Sequence, residues 1–426
     1  MKKYDFIVIG SGCGMVIVQE ALEHGKKVAL VDKGPLGGTC PNLGCIPSKM
    51  LIFAADRAAE IREAKKLGIE AEIKNIDFKF IMERMRKSVR DNQKYMKLQV
   101  SRAEKLGFYE GEVRFTGDYT LEVNGEILKS DTIFIASGSR PIIPPIKGLD
   151  RVAYLTSETV LGLKEKPESL IIIGGGYIAV EYGQFFAEMG TKVTILEMAD
   201  RLVLAEEPEI SGILKKELSR RMNVFTSVRV EELKNNQRGV TVIVNDVKEG
   251  KKKNFTAQKI LVAVGRRSNA DLLALEKTDV KVDKKGFIKV NKYLETTKKN
   301  IYAVGDINGQ QMFTHVANRE AELAADNVLH DNKEKMDYSA APHGVYTHPQ
   351  IASVGLTEEA AEKKVEAAII ITSGFRELDT YGASLETELN RISAKSGMRF
   401  LGPNTLGLIT ASFNATFTFS DVKKVT

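Results

Sequence analysis

Apolar residues in this chain gather in short, almost unbroken runs, among them Phe6–Ile9, Val28–Val31, Ile133–Ala136, Leu170–Ile173 and Ile260–Val264. Runs of this length without polar alternation suit strands buried on both faces, as the strands of parallel sheets are. After Phe6–Ile9 and again after Leu170–Ile173 a glycine turn leads into a helical pattern, which ends at Gly25 and at Gly190. The strands Val28–Val31 and Lys192–Leu196 follow, so the chain carries two βαβ units. Asp131–Ala136 and Lys259–Val264 read as further strands ending in turns, and Asn300–Val304 delivers Gly305 and Asp306 into a loop. The expected class is α/β.

The 426 residues leave room for about two to four domains. With 43% hydrophobic and 28% charged residues, the composition is that of an ordinary soluble protein. No apolar run approaches the roughly 20 residues needed to span a bilayer. The net charge of +6 comes from 62 basic and 56 acidic residues spread along the chain. Lys251–Lys253 and Lys284-Lys285 read as solvated turns, and there is no basic stripe interleaved with aromatics, so neither nucleic acid nor membrane is an expected partner. The scarcity of cysteine and the lack of a signal-peptide pattern point to a reducing cytoplasm.

The first glycine turn is Gly10-Ser11-Gly12-Cys13-Gly14, with Asp32 ending the next strand. Such a turn lets the backbone approach a pyrophosphate at a helix N-terminus, and an acid about twenty residues on can accept hydrogen bonds from a ribose. The third small position holds Met15, which bars close helix–strand packing unless Gly14 compensates; Cys13 reads as a packing residue. The second turn is Gly174-Gly175-Gly176-Tyr177-Ile178-Ala179, with Ala179 at the third small position and Glu197 ending the next strand. An acid there repels a 2′-phosphate, so NAD is expected over NADP. Asp306 is either a ligand-binding acid at a strand's carboxyl end or a helix cap.

Between the units lies Gly37-Gly38-Thr39-Cys40-Pro41-Asn42-Leu43-Gly44-Cys45-Ile46-Pro47-Ser48-Lys49, which holds two of the chain's 3 cysteines. Gly44 and Pro41 ease the bend that would bring the two thiols together. If Cys45 opens the following helix, the positive end of the helix dipole favours its thiolate. A zinc site would need a second cysteine pair or nearby histidines, and neither exists, so no metal is expected. Spacing alone leaves a redox pair and a structural disulfide both open; two nucleotide fingerprints in the same chain favour the redox pair.

Together these motifs resemble the FAD-dependent pyridine nucleotide–disulfide oxidoreductases, closest to dihydrolipoamide dehydrogenase and its mycothione-reductase-like relatives, over residues 1–364. The resemblance implies two Rossmann-like domains: an FAD domain made of 1–150 and 268–335, and an NAD domain over 151–267. It assigns Gly10, Gly12 and Asp32 to FAD, and Gly174, Gly176, Ala179 and Glu197 to NAD. Gly14, Lys33, Gly38, Thr39, Ser137, Gly138, Gly265, Arg266 and Gly305 join them as cofactor-binding residues, and Asp306 would bond the ribityl chain. Cys45 would be the thiol touching the flavin and Cys40 the interchange thiol that meets substrate. Lys49 would sit near the flavin paired with Glu181, and Tyr177 would gate the nicotinamide pocket. The implied reaction oxidises a dithiol, a lipoyl group first among candidates, and reduces NAD. Mycothione, other disulfide or mercuric reductase activity is the alternative.

The sequence departs from the family after Ala341–Lys364, which resembles the start of its α+β dimerisation domain. The family's general base is a histidine near the end of that domain, and no histidine follows His348 here. The expectation is therefore a truncated dimerisation segment over 336–364 in a family of homodimers, with NADH diaphorase activity as a fallback. Residues 365–426 read as strand (Val365–Ile371), glycine turn, helix (Ser384–Ile392), strand (Met398–Leu401) and a Gly402-Pro403-Asn404 loop. This pattern is similar to part of the CoA-binding region of ADP-forming acyl-CoA synthetases and succinyl-CoA synthetase α chains, and implies a foreign α/β fragment.

Overall fold

In the computed structural model, which describes residues 1–357, 367–369, 380–396, 399–401, 407–409 and 414–416, the run Phe6–Ile9 is the middle strand of a five-stranded sheet. Its order is Ile301–Ala303, Thr132–Ile135, Phe6–Ile9, Val28–Asp32, Leu106–Glu110, and every neighbouring pair is parallel. Successive side chains enter different cores. Ile7, Ile9, Ala29, Val31, Ile133 and Ile135 pack with Phe115, Leu121 and Leu128 of a small antiparallel sheet. Phe6, Val8, Val28, Leu30 and Phe134 pack with Ile17, Val18 and Ala21 of the helix Gly14–Glu23 and Leu323 and Ala324 of the helix Thr314–Leu329. Both faces are covered, which is why the runs show no polar alternation.

The second βαβ unit repeats this plan. Asn223–Phe225, Lys192–Leu196, Ser169–Ile173 and Lys259–Val262 form a parallel sheet in that order. One face packs on Val180, Phe185 and Phe186 of the helix Tyr177–Glu188. The other packs on a three-stranded antiparallel sheet, Val228–Asn236, Gly239–Asp246 and Lys252–Ala257. Lys252 and Lys253 lie in its last strand, not in a turn, and Lys253 pairs with Asp246 at 2.8 Å. The helices Cys45–Glu63 and Phe78–Arg102 contribute Leu51, Ala55, Met82 and Met85 to the core around Phe185.

Gly10 has φ +99°, and a Cβ there would lie 2.2 Å from the carbonyl oxygen of Ala136. Gly174 repeats this, with φ +114° and 2.3 Å to the oxygen of Ala263. Each turn thus crosses the end of a neighbouring strand where only glycine fits. Gly14 does compensate for Met15, since a Cβ on it would meet Val8 at 2.8 Å and Ala136 at 3.3 Å.

The chain divides into two units, Met1–Val354 and Gly355–Thr426. In the second, Ala367–Ile369 pairs in parallel with Arg399–Leu401, and the helix Thr380–Ser396 lies between them in sequence. Gly407–Ile409 and Asn414–Thr416 form an antiparallel pair. The Gly374 turn and the Gly402-Pro403-Asn404 loop lie outside the described residues. Among the described residues no helix is long and apolar enough to cross a membrane.

Candidate active site

Cys40 lies in the short helix Thr39–Leu43, and Cys45 opens the helix Cys45–Glu63, with Gly44 as the corner between them. Both are half-buried free thiols. A hydrogen bond from the Cys45 thiol lowers Cys40 to about 6 against the opposing effect of burial, with help from Thr314 and the charge of Lys49. The same bond, burial and the Cys40 sulfur push Cys45 well above the ordinary thiol range. Cys45 does open its helix, whose positive end faces the pair, while the Cys45 thiol and Thr314 both favour charge on Cys40. Alkylation of the reduced protein should therefore label Cys40 first, at a rate that rises with pH through about 6, as peptide mapping over a pH series would show.

Lys49 stands one helical turn after Cys45, and its ammonium lies 2.6 Å from Glu181. Glu181 belongs to the helix Tyr177–Glu188 of the second βαβ unit, and its other oxygen accepts the Tyr346 N–H at 3.0 Å. The ammonium also sits 4.6 Å from the centre of the Tyr346 ring. The expected Lys49–Glu181 pair is thus present, and it ties both βαβ units to the segment around Tyr346.

The cofactor-site residues converge from several turns. Asp32 accepts the N–H of Ser11 at 2.5 Å and of Gly34 at 2.7 Å, bracing the Gly10–Gly14 turn. Lys33 is exposed beside it. A Cβ on Gly38 would come 2.7 Å from the Cα of Gly12, so the loop leading to Thr39 and Cys40 touches the glycine turn. Ser137 and Gly138 follow the strand Thr132–Ile135. The buried Ser137 hydroxyl has no hydrogen-bond partner, and the space above Gly138 is open. Asp306 lies in the turn Gly305–Ile307 and accepts the Ser139 hydroxyl at 2.5 Å, so it does not cap a helix. Arg266, one residue after Gly265, donates to Ser139 at 2.7 Å and lies 3.7 Å from Asp306, as a strut between them. In the second unit Gly176 has open space above it, Ala179 is buried, and Glu197 accepts the Ala199 N–H at 2.6 Å. An unpartnered buried hydroxyl and open glycine turns at two helix N-termini fit two bound dinucleotides.

Tyr177 opens the second helix, with its ring 6.0 Å from Phe313 and 5.9 Å from His343. Burial and Glu206 push its hydroxyl up to about 12. Glu206 is itself buried and is bonded by His343 at 2.9 Å and by Ser353. Phe313, Thr314 and Glu206 escaped the sequence reading. The one signal for the first two was their place at the start of the helix that follows the Asp306 loop.

Beneath the first site, Glu320 accepts the Gly305 N–H at 2.5 Å, Asn308 at 2.8 Å and the Tyr338 hydroxyl at 2.6 Å. Burial outweighs these bonds and raises it from 4.5 to about 7. Cys13, beside it, is pushed up to about 12, chiefly by burial, which suits a packing role. The fold therefore binds the Glu320 proton more tightly than the unfolded chain does. Its contribution to stability is full below about 4.5 and is lost as pH rises through about 7. Melting temperature should fall across that window, and Glu320→Gln should flatten the fall in a pH series of thermal melts.

The family model for pyridine nucleotide-disulphide oxidoreductases matches residues 4–321. The chain belongs to this family. Its members carry FAD and use NAD(P)H. The family's dimerisation-domain model matches residues 341–395 and so overlaps the segment read from sequence as foreign. A dihydrolipoyl dehydrogenase of Geobacillus stearothermophilus is 37% identical over 376 residues, covering 87% of this chain and 78% of that protein. A Staphylococcus aureus mercuric reductase is 36% identical over 367 residues, covering 85% of this chain and 66% of that protein. A Mycobacterium tuberculosis mycothione reductase is 31% identical over 430 residues, covering 97% and 91%. The chain thus spans just under two thirds of the length of the mercuric reductase. Among solved structures, the HOCl-induced flavoprotein disulfide reductase RclA of Escherichia coli matches with a TM-score of 0.76 at 28% identity, covering 85% of this chain and 79% of that one.

Proposed function

We propose that this oxidoreductase moves an electron pair between NAD(H) and a dithiol, with Cys40 and Cys45 as its redox pair and a dihydrolipoyl group as substrate. The observation that carries this reading is the pair of half-buried free thiols, Cys40 and Cys45, beside the Lys49–Glu181 bridge, where both nucleotide units meet. In the oxidising direction a substrate thiolate attacks Cys40 of the Cys40–Cys45 disulfide. The S–S bond breaks and its electron pair stays on Cys45. The second substrate thiol then attacks the substrate sulfur of the mixed disulfide, releasing oxidised substrate and the Cys40 thiolate. Two protons leave the substrate; Cys45 keeps one and hydrogen-bonds Cys40 with it, and the other goes to solvent. Bound FAD supplies the passage of the electron pair to the pyridine nucleotide. Lys49 holds positive charge near both sulfurs throughout, and Glu181 keeps it in place.

Mercuric and mycothione reductases among the relatives favour a second reading, in which the same thiols reduce Hg(II) or a mycothiol disulfide. The test is steady-state turnover of the flavin-loaded protein with NADH and lipoamide, with Hg(II) and mycothione as comparators. Lipoamide reduction at rates well above the comparators supports the proposal. NADH oxidation with dyes or oxygen alone would overturn it.

The pyridine nucleotide is proposed to be NAD, because Glu197 ends the strand where a 2′-phosphate would lie. Glu197→Arg should shift the ratio of kcat/KM for NADPH over NADH upward by about 10-fold or more, about 1.4 kcal/mol, measured with both coenzymes on one preparation.

A further inference from the structure

Two histidines outside the candidate active site face each other in an arrangement that a cation would complete. His24 caps the C-terminus of the helix Gly14–Glu23, and His330 caps that of Thr314–Leu329. Their Nε2 atoms lie 3.1 Å apart, with the rings at 79°. The other nitrogen of each ring is already committed. His24 Nδ1 lies 2.8 Å from the carbonyl oxygen of Glu20, which can only accept, so Nδ1 carries the hydrogen. His330 Nδ1 lies 2.8 Å from the Asp326 carboxylate, which also accepts. Asn332 holds the second oxygen of that carboxylate at 2.6 Å. In neutral imidazoles this leaves two bare Nε2 lone pairs 3.1 Å apart, a repulsive contact unless both face a shared positive centre.

We propose that His24 and His330 form a binding site for a divalent first-row transition-metal ion. Imidazole nitrogen suits Zn(II), Ni(II) and Cu(II). A metal at about 2.0–2.1 Å from each nitrogen would see the 3.1 Å pair at an angle of about 95–102°, between square and tetrahedral values. A carboxylate or carbonyl on the far nitrogen of each histidine is the outer shell that fixes tautomer and raises ligand basicity at metal sites. Two helix C-termini meet here, and their partial negative charge favours a cation. Among the described residues no group of three or more His, Cys, Asp or Glu side chains could hold a metal, so water completes the shell and both histidines are open to solvent. The ion would staple together the two helices that flank the first nucleotide site, one following the Gly10–Gly14 turn and the other the Asp306 loop.

The test is calorimetric titration of the flavin-loaded protein with Ni(II), its active-site thiols held as the disulfide so that they cannot bind metal. One ion per chain should bind, and thermal melts should rise with Ni(II). His24→Gln and His330→Gln should each abolish both effects, while keeping the metal-free melting temperature and flavin content of the parent. Asp326→Asn should weaken binding by about 10–100-fold. Absence of Ni(II) binding by the parent would overturn the proposal and leave a shared proton between the rings. Binding that survives in both histidine variants would also overturn it, by placing the ion elsewhere.

Discussion

Cys40→Ser and Cys45→Ser each lower NAD-linked dithiol turnover by at least about 10³-fold, about 4 kcal/mol of barrier, while flavin stays bound and NADH still reduces small dyes. Neither variant can close the disulfide that the exchange requires, so the two losses are of similar size, and the double variant is no worse than either alone. The thiols do not hold the fold: both are half-buried and unbridged. Alanine variants separate the roles of the two sulfurs. Cys45→Ala removes the first cause that lowers Cys40, so the alkylation inflection of Cys40 moves up from about 6. Cys40→Ala removes both the hydrogen bond and the neighbouring sulfur that raise Cys45, so that thiol becomes easier to ionise. Turnover, flavin absorbance and alkylation against pH measure all three. A Cys45→Ser protein that still turns over lipoamide would remove the pair from the mechanism.

The sequence displays this site unevenly, and the reason lies in what local pattern encodes. Glycine turns, strand runs and terminal acids are contiguous, so the two βαβ units can be read directly, down to Gly14 taking over from Met15. The tail's strand, helix and strand were equally visible in periodicity. By contrast, the helix Cys45–Glu63 carries weak apolar periodicity, because it is buried against different neighbours along its length. Glu206, Phe313 and Thr314 are ordinary residues in one dimension; only the fold brings Glu206 to Tyr177 and His343, and Thr314 to Cys40. The helix start at Cys45 is local and legible, whereas Thr314, which also favours charge on Cys40, arrives from a helix more than two hundred residues later. Asp306 shows the converse case: its strand was evident, but whether it caps or binds depended on Ser139 and Arg266, which approach from other strands.

Gly174→Val unfolds the second nucleotide unit, whereas Gly176→Ala, two residues on, leaves it standing. The difference follows from what a side chain would meet. At Gly174 φ is +114°, and the new Cβ would lie 2.3 Å from the oxygen and 2.8 Å from the carbon of Ala263. These are backbone atoms just past a core strand, so no rotamer change relieves the clash. The left-handed conformation alone costs about 1–2 kcal/mol for a residue with a Cβ, and more for a β-branched one. With the clash the loss exceeds about 4 kcal/mol, or about 10 °C in melting temperature for a unit of this size. At Gly176 φ is −77° and nothing lies within 4 Å, so a methyl group fits the fold. It points instead into the space over the helix N-terminus, where a pyrophosphate would approach the backbone. Gly176→Ala should keep its melting temperature within about 2 °C and its flavin, yet raise KM for NADH by about 10-fold or more. Calorimetric melts beside NADH titrations distinguish the two effects. If Gly176→Ala bound NADH as the parent does, that turn would not be the pyridine-nucleotide site; if Gly174→Val melted as the parent does, the tight crossing at Ala263 would not be what holds the unit together.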